Sequence, residues 1–550
     1  MEKVQRHKIF LTVLCLFFSL ALVFSASAQM KKSIIEKSKK AETEMKKKEK
    51  AAEKPQYGGV YRSSMATDPR SLDPHHETSG ATTAITANTN NTLLRTNPEM
   101  TGWELELAES YRQIDDTTYE FKIHKGVKFH NVPPVNGREL TSADVKYSIE
   151  RATGLHGKKP DFKHAYYFDK IKSIETPDKY TIIFKLNEPY APFLRYIATP
   201  WAAITAKEIV DKFGDLKNVA IGTGPFMLKE FIKGSHITLV KNPNYFKKGL
   251  PYLDGITWKI MPDPSSVSSA FVAGRLDGTG IYYHQLEMIK KEAPDALISE
   301  HPGTHMLVLR VQPWIEGKKP LKKPLDDKRV RQAIFMAIDK PRLLKLAWGG
   351  YGTVGVGPVP PVYDDSLLPS DQVKYNPEQS KKLLAEAGYP NGFSLELITW
   401  NTETMTKPAQ VLKEMLKEVG IDLKLTFMEF GQYFNRAYRF DYELSLHVTT
   451  AGVDPEEWLV PYYGPLEGSM YYKWSNPELW KLISEQHRIL DPKKRKAAIR
   501  DIQLKVMEDA PYTYLYTWLR ISVRRPYVHR TFYLLDYQPM IGETYWMSKH

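Results

Sequence analysis

Several places in this chain carry residue types that could do chemistry. Gly350-Tyr351-Gly352-Thr353-Val354-Gly355 has the GxGxxG spacing that lets a backbone approach a dinucleotide pyrophosphate, which requires a strand before the loop and a helix after it. Here a helix-like run at 343–348 precedes the glycines and Gly357-Pro358-Val359-Pro360-Pro361 follows them, so the context breaks the motif. His75-His76-Glu77 sets potential metal ligands side by side. Adjacent residues of an extended loop point to opposite sides and no second cluster completes a shell, so the segment reads as a turn beside a ligand cleft. Asp454, Glu456 and Glu457 could be the paired carboxylates of a glycoside hydrolase. Following a turn and standing just before Trp458, they read instead as surface and helix-cap residues. The HExxH, GxSxG and GxxxxGK[ST] patterns do not occur, and with them go the zinc hydrolase, serine hydrolase and P-loop chemistries. No enzyme activity, cofactor or bound metal is expected.

The single cysteine, Cys15, lies in an apolar run at 9–24 that follows Lys3, Arg6 and Lys8. That run is short for a membrane span, and Ala26-Ser27-Ala28 supplies the small residues of a cleavage site. A signal peptide at 1–28 is expected, with Gln29 as the new N-terminus and a periplasmic, secreted product free of disulfides. Lipid attachment at Cys15 would need a small residue in place of Leu14. An uncleaved, tethered form is the alternative. Residues 29–54 are a Lys/Glu-rich spacer with almost nothing to bury. The formal charge of +13 is concentrated in these two segments, +2 in the first and +5 in residues 31–54. What remains is spread thinly over the body, which argues against nucleic acid as a partner.

Five hundred and fifty residues with 42% hydrophobic and 26% charged side chains suit several folded units. Helix starts are readable at Asn376-Pro377-Glu378-Gln379, at Asn476-Pro477-Glu478 and at Asp491-Pro492, each a capping side chain followed by a first-turn proline. Helical spacing also covers 326–339. Between these lie alternating or apolar runs at 118–123, 180–186, 236–240, 304–311, 394–399 and 422–427, which read as strands. Interleaved strands and helices predict an α/β architecture.

The body resembles a known family. Tyr57-Gly58-Gly59-Val60-Tyr61, Ser71-Leu72-Asp73-Pro74-His75, Leu107-Ala108-Glu109-Ser110-Tyr111, the run 119–129, Thr141-Ser142-Ala143-Asp144-Val145, Gly222-Thr223-Gly224-Pro225-Phe226, Asn242-Pro243-Asn244-Tyr245-Phe246, Arg329-Val330-Arg331-Gln332-Ala333 and Ala385-Glu386-Ala387-Gly388-Tyr389 stand in the order found in extracytoplasmic solute-binding proteins of ABC importers. The similarity is to family 5, typified by oligopeptide- and dipeptide-binding proteins. It implies a periplasmic-binding-protein-like fold: two lobes with a hinge, plus an extra α/β domain on the first lobe. Lobe I would comprise 55–100, 180–300 and 509–550, the extra domain 101–179, and lobe II 301–508. The protein would be a monomer that traps a small solute by closing its lobes and then docks on an ABC permease dimer in the inner membrane. A solute-sensing subunit signalling to a membrane receptor is the alternative.

Peptide-binding relatives are expected to hold the ligand's α-amino group with an Asp in a segment after Phe-Asp and before an acidic-Pro pair. In the matching segment, 440–455, that position falls on Thr450 or Ala451, and the usual Trp is replaced by His447 or Val448. A buried ammonium without its carboxylate costs several kcal/mol. The expected solute is therefore an oligosaccharide or an aromatic or anionic compound, or else a peptide with another anchor such as Glu77. Expected contacts are Glu77, Tyr283, Trp400, His447, Thr449, Thr450 and Trp458. Of the aromatics Trp400, Trp458, Tyr462 and Tyr463, about half are expected to line the cleft. His447, if unperturbed, would titrate near neutrality and favour an anion at lower pH.

Overall fold

The computed structural model describes residues 54–76, 79–97, 102–154, 162, 164–360, 374–449, 452–465, 472–530 and 541–548. Glu77, Thr450 and Ala451 lie outside the described residues, as do the leader and the spacer up to residue 53.

Helix starts follow the local chemistry. The Asn376 and Asn476 side chains accept from the Gln379 and Leu479 backbone N–H groups at 2.9 Å, opening helices Pro377–Glu386 and Pro477–Gln486. Asp491 does the same for Pro492–Asp509. At Ser142–Thr153 the Asp144 carboxylate takes the Thr141 N–H at 2.9 Å, a reciprocal cap that also favours negative charge at the helix start. Asp339 opens a further helix, Lys340–Trp348, and Gly349 ends it in the left-handed region. The glycine-rich loop that follows leads into the strand Gly352–Val354, which is not the strand-then-helix setting of a dinucleotide site.

Three larger sheets carry the architecture. One has the order Val60–Met65, Gly255–Ile260, His236–Lys241, Phe226–Ile232, its first pair parallel and the others antiparallel. The second is antiparallel: Ala108–Gln113, Thr118–Ile123, Thr181–Leu186, Ile171–Asp178. Its third strand lies beyond residue 179, so this sheet continues past the boundary expected for the extra domain. The largest runs Gly278–Ile281, Tyr512–Arg524, Leu297–Val311, Leu444–Val448, Phe393–Trp400, Ile421–Met428, with Gly352–Val354 also paired to Tyr512–Arg524. Gly278–Ile281 and Tyr512–Arg524, expected in the first lobe, thus share a sheet with strands of the second.

Alternation along the strands divides the cores. Leu307, Leu309 and Val311 face a cluster with Val330, Leu343 and Leu412, while Met306 and Val308 face Trp458, Leu479 and Val506 on the other side. Each such buried side chain contributes about 1.5–3 kcal/mol. The pairing of Leu297–Val311 with Tyr512–Arg524 shifts register between Pro302 and Met306. Below the shift the ribbon packs with Val267, Phe271 and Ile281, and above it with the two large clusters. Close backbone approach holds the ribbon here. A Cβ on Gly303 would stand 2.3 Å from the Trp518 carbonyl oxygen, and one on Gly352 would stand 2.3 Å from that of Thr517.

Candidate functional site

Strand Phe393–Trp400 runs parallel to both Leu444–Val448 and Ile421–Met428. Trp400 and His447 therefore stand at the carboxyl ends of neighbouring parallel strands, the edge at which open α/β sheets bind ligands. Helix Phe430–Tyr438 covers that edge. Glu429 caps it by accepting from Gly431 N–H at 2.6 Å, and Arg436 ties it to the sheet through two bonds to Glu396, 3.0 and 2.6 Å. Tyr433 and Ala437 point inward. Phe430, Phe434 and Tyr438, spaced four apart, form the adjoining stripe, and Phe430 and Tyr438 are half exposed. Trp400 meets Phe430 at 5.7 Å, Phe434 at 5.9 Å in a near-parallel stack, and His447 at 6.1 Å edge-on. Such an aromatic wall suits flat or apolar ligand surface, at about 0.5–1.5 kcal/mol per ring pair beyond area burial.

Beneath the wall lies a buried polar relay. Arg310 and Ser445 are opposite each other in the ladder, as are Val308 and His447. Arg310 Nη2 donates to Tyr433 Oη at 3.1 Å and lies 3.4 Å from Ser445 Oγ, and its guanidinium sits over the Tyr442 ring at 5.8 Å. Tyr433 Oη is 2.8 Å from Ser445 Oγ and 2.9 Å from His447 Nδ1. Burial, reinforced by the Arg310 charge, holds the His447 imidazole well below its ordinary pKa. His447 is thus neutral at physiological pH, and the expected titration near neutrality is corrected: the sequence carried no sign that Arg310 would lie alongside.

Thr449 is buried with its hydroxyl 3.3 Å from the Met306 N–H that donates to it. The hydroxyl expected to meet solute is committed to extending the strand ladder. His305 Nδ1 lies 3.3 Å from the Thr449 carbonyl, and from its ring a chain of aromatics runs through Trp518 (6.4 Å) and Trp348 (5.6 Å) to Tyr283 (5.2 Å). Tyr283 Oη accepts from Lys407 Nζ at 3.0 Å. Tyr283 and Lys407 are partly exposed, so this second aromatic group remains accessible.

Trp458, Tyr462 and Tyr463 belong to the core, each 1% exposed. Of the four aromatics expected near the cleft, Trp400 alone is partly open. The carboxylates of Asp454, Glu456 and Glu457 are not surface caps either; all three are buried. Arg495 binds Asp454 through two bonds, 2.6 and 2.8 Å. Tyr190 donates to Glu456 at 3.2 Å, Tyr167 donates to Glu457, and Arg195 donates to the Val453 carbonyl at 2.9 Å. This seam joins the 453–457 segment to elements 258–290 residues earlier in the chain. Burial works to raise the Asp454 carboxyl, and Arg495 overrides it to leave the pKa below its usual value. Burial, with Asp454 nearby, pushes Glu456 up to about 7, and burial lifts Glu457 to about 8 against the hydrogen bonds it receives.

His75 is a structural residue. Its Nε2 lies 2.9 Å from the Ala203 carbonyl and its Nδ1 2.7 Å from Arg151, and burial with the Arg151 charge lowers its pKa to about 4. No group of three or more His, Cys, Asp or Glu side chains that could hold a metal occurs among the described residues. A cavity of about 20 Å³ lined by Thr86, Ala87, Asn91, Arg95, Glu106 and Pro200 among others has room for a water, far below the roughly 300 Å³ of a solute site.

Comparison with known proteins converges on one family. Residues 102–469 match the model of the bacterial extracellular solute-binding proteins, family 5 Middle. The oligopeptide-binding protein AppA of Bacillus subtilis is 28% identical over 93% of this chain and 94% of that protein. The glutathione-binding protein GsiB of Pectobacterium atrosepticum is 27% identical over 76% of this chain and 80% of its own length. The periplasmic binding protein DppA of Helicobacter pylori, an ABC transporter-associated protein solved with the peptide STSA, superposes with a TM-score of 0.75 at 27% identity, covering 90% of this chain and 99% of that one. The family model spans about two thirds of the sequence, and the chain accordingly belongs to the family 5 bacterial extracellular solute-binding proteins.

Proposed function

We propose that this protein is the periplasmic receptor of an ABC importer, released by cleavage after Ala28, and that it carries a non-peptide or amine-blocked solute held between its lobes to the permease pair. The observation that carries the solute reading is the partly open wall of Trp400, Phe430 and Phe434 around a neutral imidazole. The cation Arg310 acts on that imidazole, an environment that disfavours the free ammonium of a peptide. Among the described residues no helix is long and apolar enough to cross a membrane. Glutathione and oligopeptides, in the names of the relatives GsiB and AppA respectively, are the competing cargoes. Tyr283 with Lys407 would form a second contact, and Glu77 and Thr450 remain proposed neighbours of the site.

The test is native mass spectrometry of protein purified without refolding, to identify a co-purified solute. Calorimetry follows against glutathione, di- to pentapeptides, oligosaccharides and aromatic acids. Binding of an aromatic acid or oligosaccharide, with peptides inert, is the expected result. Tight peptide binding that requires a free α-amine would overturn the solute reading.

A further inference from the structure

The relay beneath the aromatic wall fixes more than the charge of His447. Arg310 can only donate, so its Nη2–H points at Tyr433 Oη and toward Ser445 Oγ. Tyr433 has one proton to give, and Ser445 Oγ, the Leu446 carbonyl (3.2 Å) and His447 Nδ1 (2.9 Å) are within reach. If Tyr433 gives it to Ser445, the serine proton has no acceptor in the relay. One arrangement serves every member: Arg310 donates to Tyr433, Ser445 donates to Tyr433, and Tyr433 donates to His447 Nδ1. A proton on Nδ1 would instead aim a third donor at a phenol oxygen with two lone pairs. In a neutral imidazole the single N–H then resides on Nε2, and among the described residues no hydrogen bond occupies that nitrogen.

We infer that His447, locked by Arg310 and Tyr433 as an Nε2–H donor, recognises an oxygen acceptor of the solute, whose flat or apolar part lies on Trp400, Phe430 and Phe434. The solute class is therefore a carbonyl- or carboxylate-bearing compound with a planar or apolar body. The inference rests on the proposed solute site at this strand edge. Tyr433 and Arg310 are positioning residues, acting through the imidazole and not by contact. The groups facing His447 agree with a fixed proton state. Arg310 on the neighbouring strand repels a second cation. Tyr433 on the covering helix is hydrogen-bonded to it, and the Tyr442 phenol ahead of the strand has its pKa raised by burial. His305, on the far side of Thr449, is itself lowered to about 4 by burial and Arg520. Recognition by this donor is thus independent of pH through the physiological range.

The test uses the full mature protein labelled with nitrogen-15 histidine. Long-range proton–nitrogen spectra should show His447 protonated at Nε2 and bare at Nδ1, unchanged between about pH 8 and pH 5.5. Tyr433→Phe should leave the fold intact and mix the two tautomers, which a purely structural tyrosine would not do. Hydrocinnamate and phenethylamine serve as matched probes, sharing a ring but ending in an acceptor or an ammonium. Hydrocinnamate should shift the His447 Nε2–H and Trp400 indole signals. Its affinity should fall about tenfold in Tyr433→Phe and His447→Leu, as for one lost hydrogen bond to a charged group, and recover in His447→Gln, which restores a donor. An Nδ1–H tautomer, or preference for phenethylamine, would overturn the inference. The predicted tautomer with neither probe disturbing His447 or Trp400 would also overturn it. That last result would place the solute site elsewhere and leave the receptor assignment standing.

Discussion

Glu457 accepts a hydrogen bond from Tyr167, 290 residues earlier in the chain, and neither residue announces the other. Charged side chains are ordinarily exposed, so a Pro-Glu-Glu sequence before a tryptophan reads as a surface cap. Its burial depends on Tyr167, Tyr190 and Arg495 arriving from elsewhere. The consequence is a pH response with a definite sign. Glu456 and Glu457 titrate at about 7 and about 8 when folded, against 4.5 ordinarily. The folded state therefore holds protons that the unfolded chain has released, and stability declines as the pH rises toward 8. Melting temperature should fall between about pH 5.5 and pH 8.5, and Glu457→Gln, which cannot ionise, should flatten that slope. An unchanged slope would mean Glu457 is ionised throughout, held by the Val453 and Asp454 N–H groups that donate to it. At the solute edge Trp400→Ala removes the ring that touches Phe430, Phe434 and His447. It should weaken binding of the identified solute by about tenfold or more, at roughly 1–3 kcal/mol for a stacked aromatic, measured by calorimetry. His447 was legible from sequence because it interrupts a family pattern, and Trp400 as an aromatic suited to stacking. Arg310 and Tyr433 were not, since a lone arginine in an apolar strand and a tyrosine in a helix give no sign of meeting.

Elements were most readable where a cap is written into the chain. The helices after Asn376, Asn476 and Asp491 begin where the Asn-Pro and Asp-Pro pairs place them, because the capping oxygen and the first-turn proline act locally. The strands read at 118–123 and 394–399 were equally plain and form at Thr118–Ile123 and Phe393–Trp400. Helix Phe430–Tyr438 was missed: its cap is Glu429 and its aromatic stripe faces partly outward, against the usual apolar-inward pattern. This helix carries the wall, so loosening its first turn should be felt at the site. Glu429→Ala removes an acceptor for two N–H groups and should cost about 1 kcal/mol. Solute affinity should drop with it, while Glu403→Ala in the first turn of helix Glu403–Lys417 serves as a control with affinity unchanged. Equal affinity in both variants would show that the wall holds its place without the cap.

For the molecule as a whole, trapping a solute between lobes couples binding to shape and stability. At a free solute concentration of about a hundred times Kd, mass action adds about 2.7 kcal/mol to the folded state. The melting temperature should rise accordingly, and small-angle scattering should record a smaller radius of gyration; saturation without contraction would contradict lobe closure. The fold class was legible from interleaved elements, but the extents of the sheets were not. Strand order depends on pairings such as Gly278–Ile281 with Tyr512–Arg524, far apart in sequence. The ribbon of Leu297–Val311 and Tyr512–Arg524 has a further consequence, for how such a receptor can evolve. At Gly303 and Gly352 even a methyl group would collide with a neighbouring carbonyl, whereas Phe430 and Tyr438 stand half in solvent with room to vary. A random-mutation survey should find the ribbon glycines nearly immutable and the aromatic stripe tolerant of exchange. Cargo preference can then drift by swapping rings on one helix while the mechanical part stays fixed.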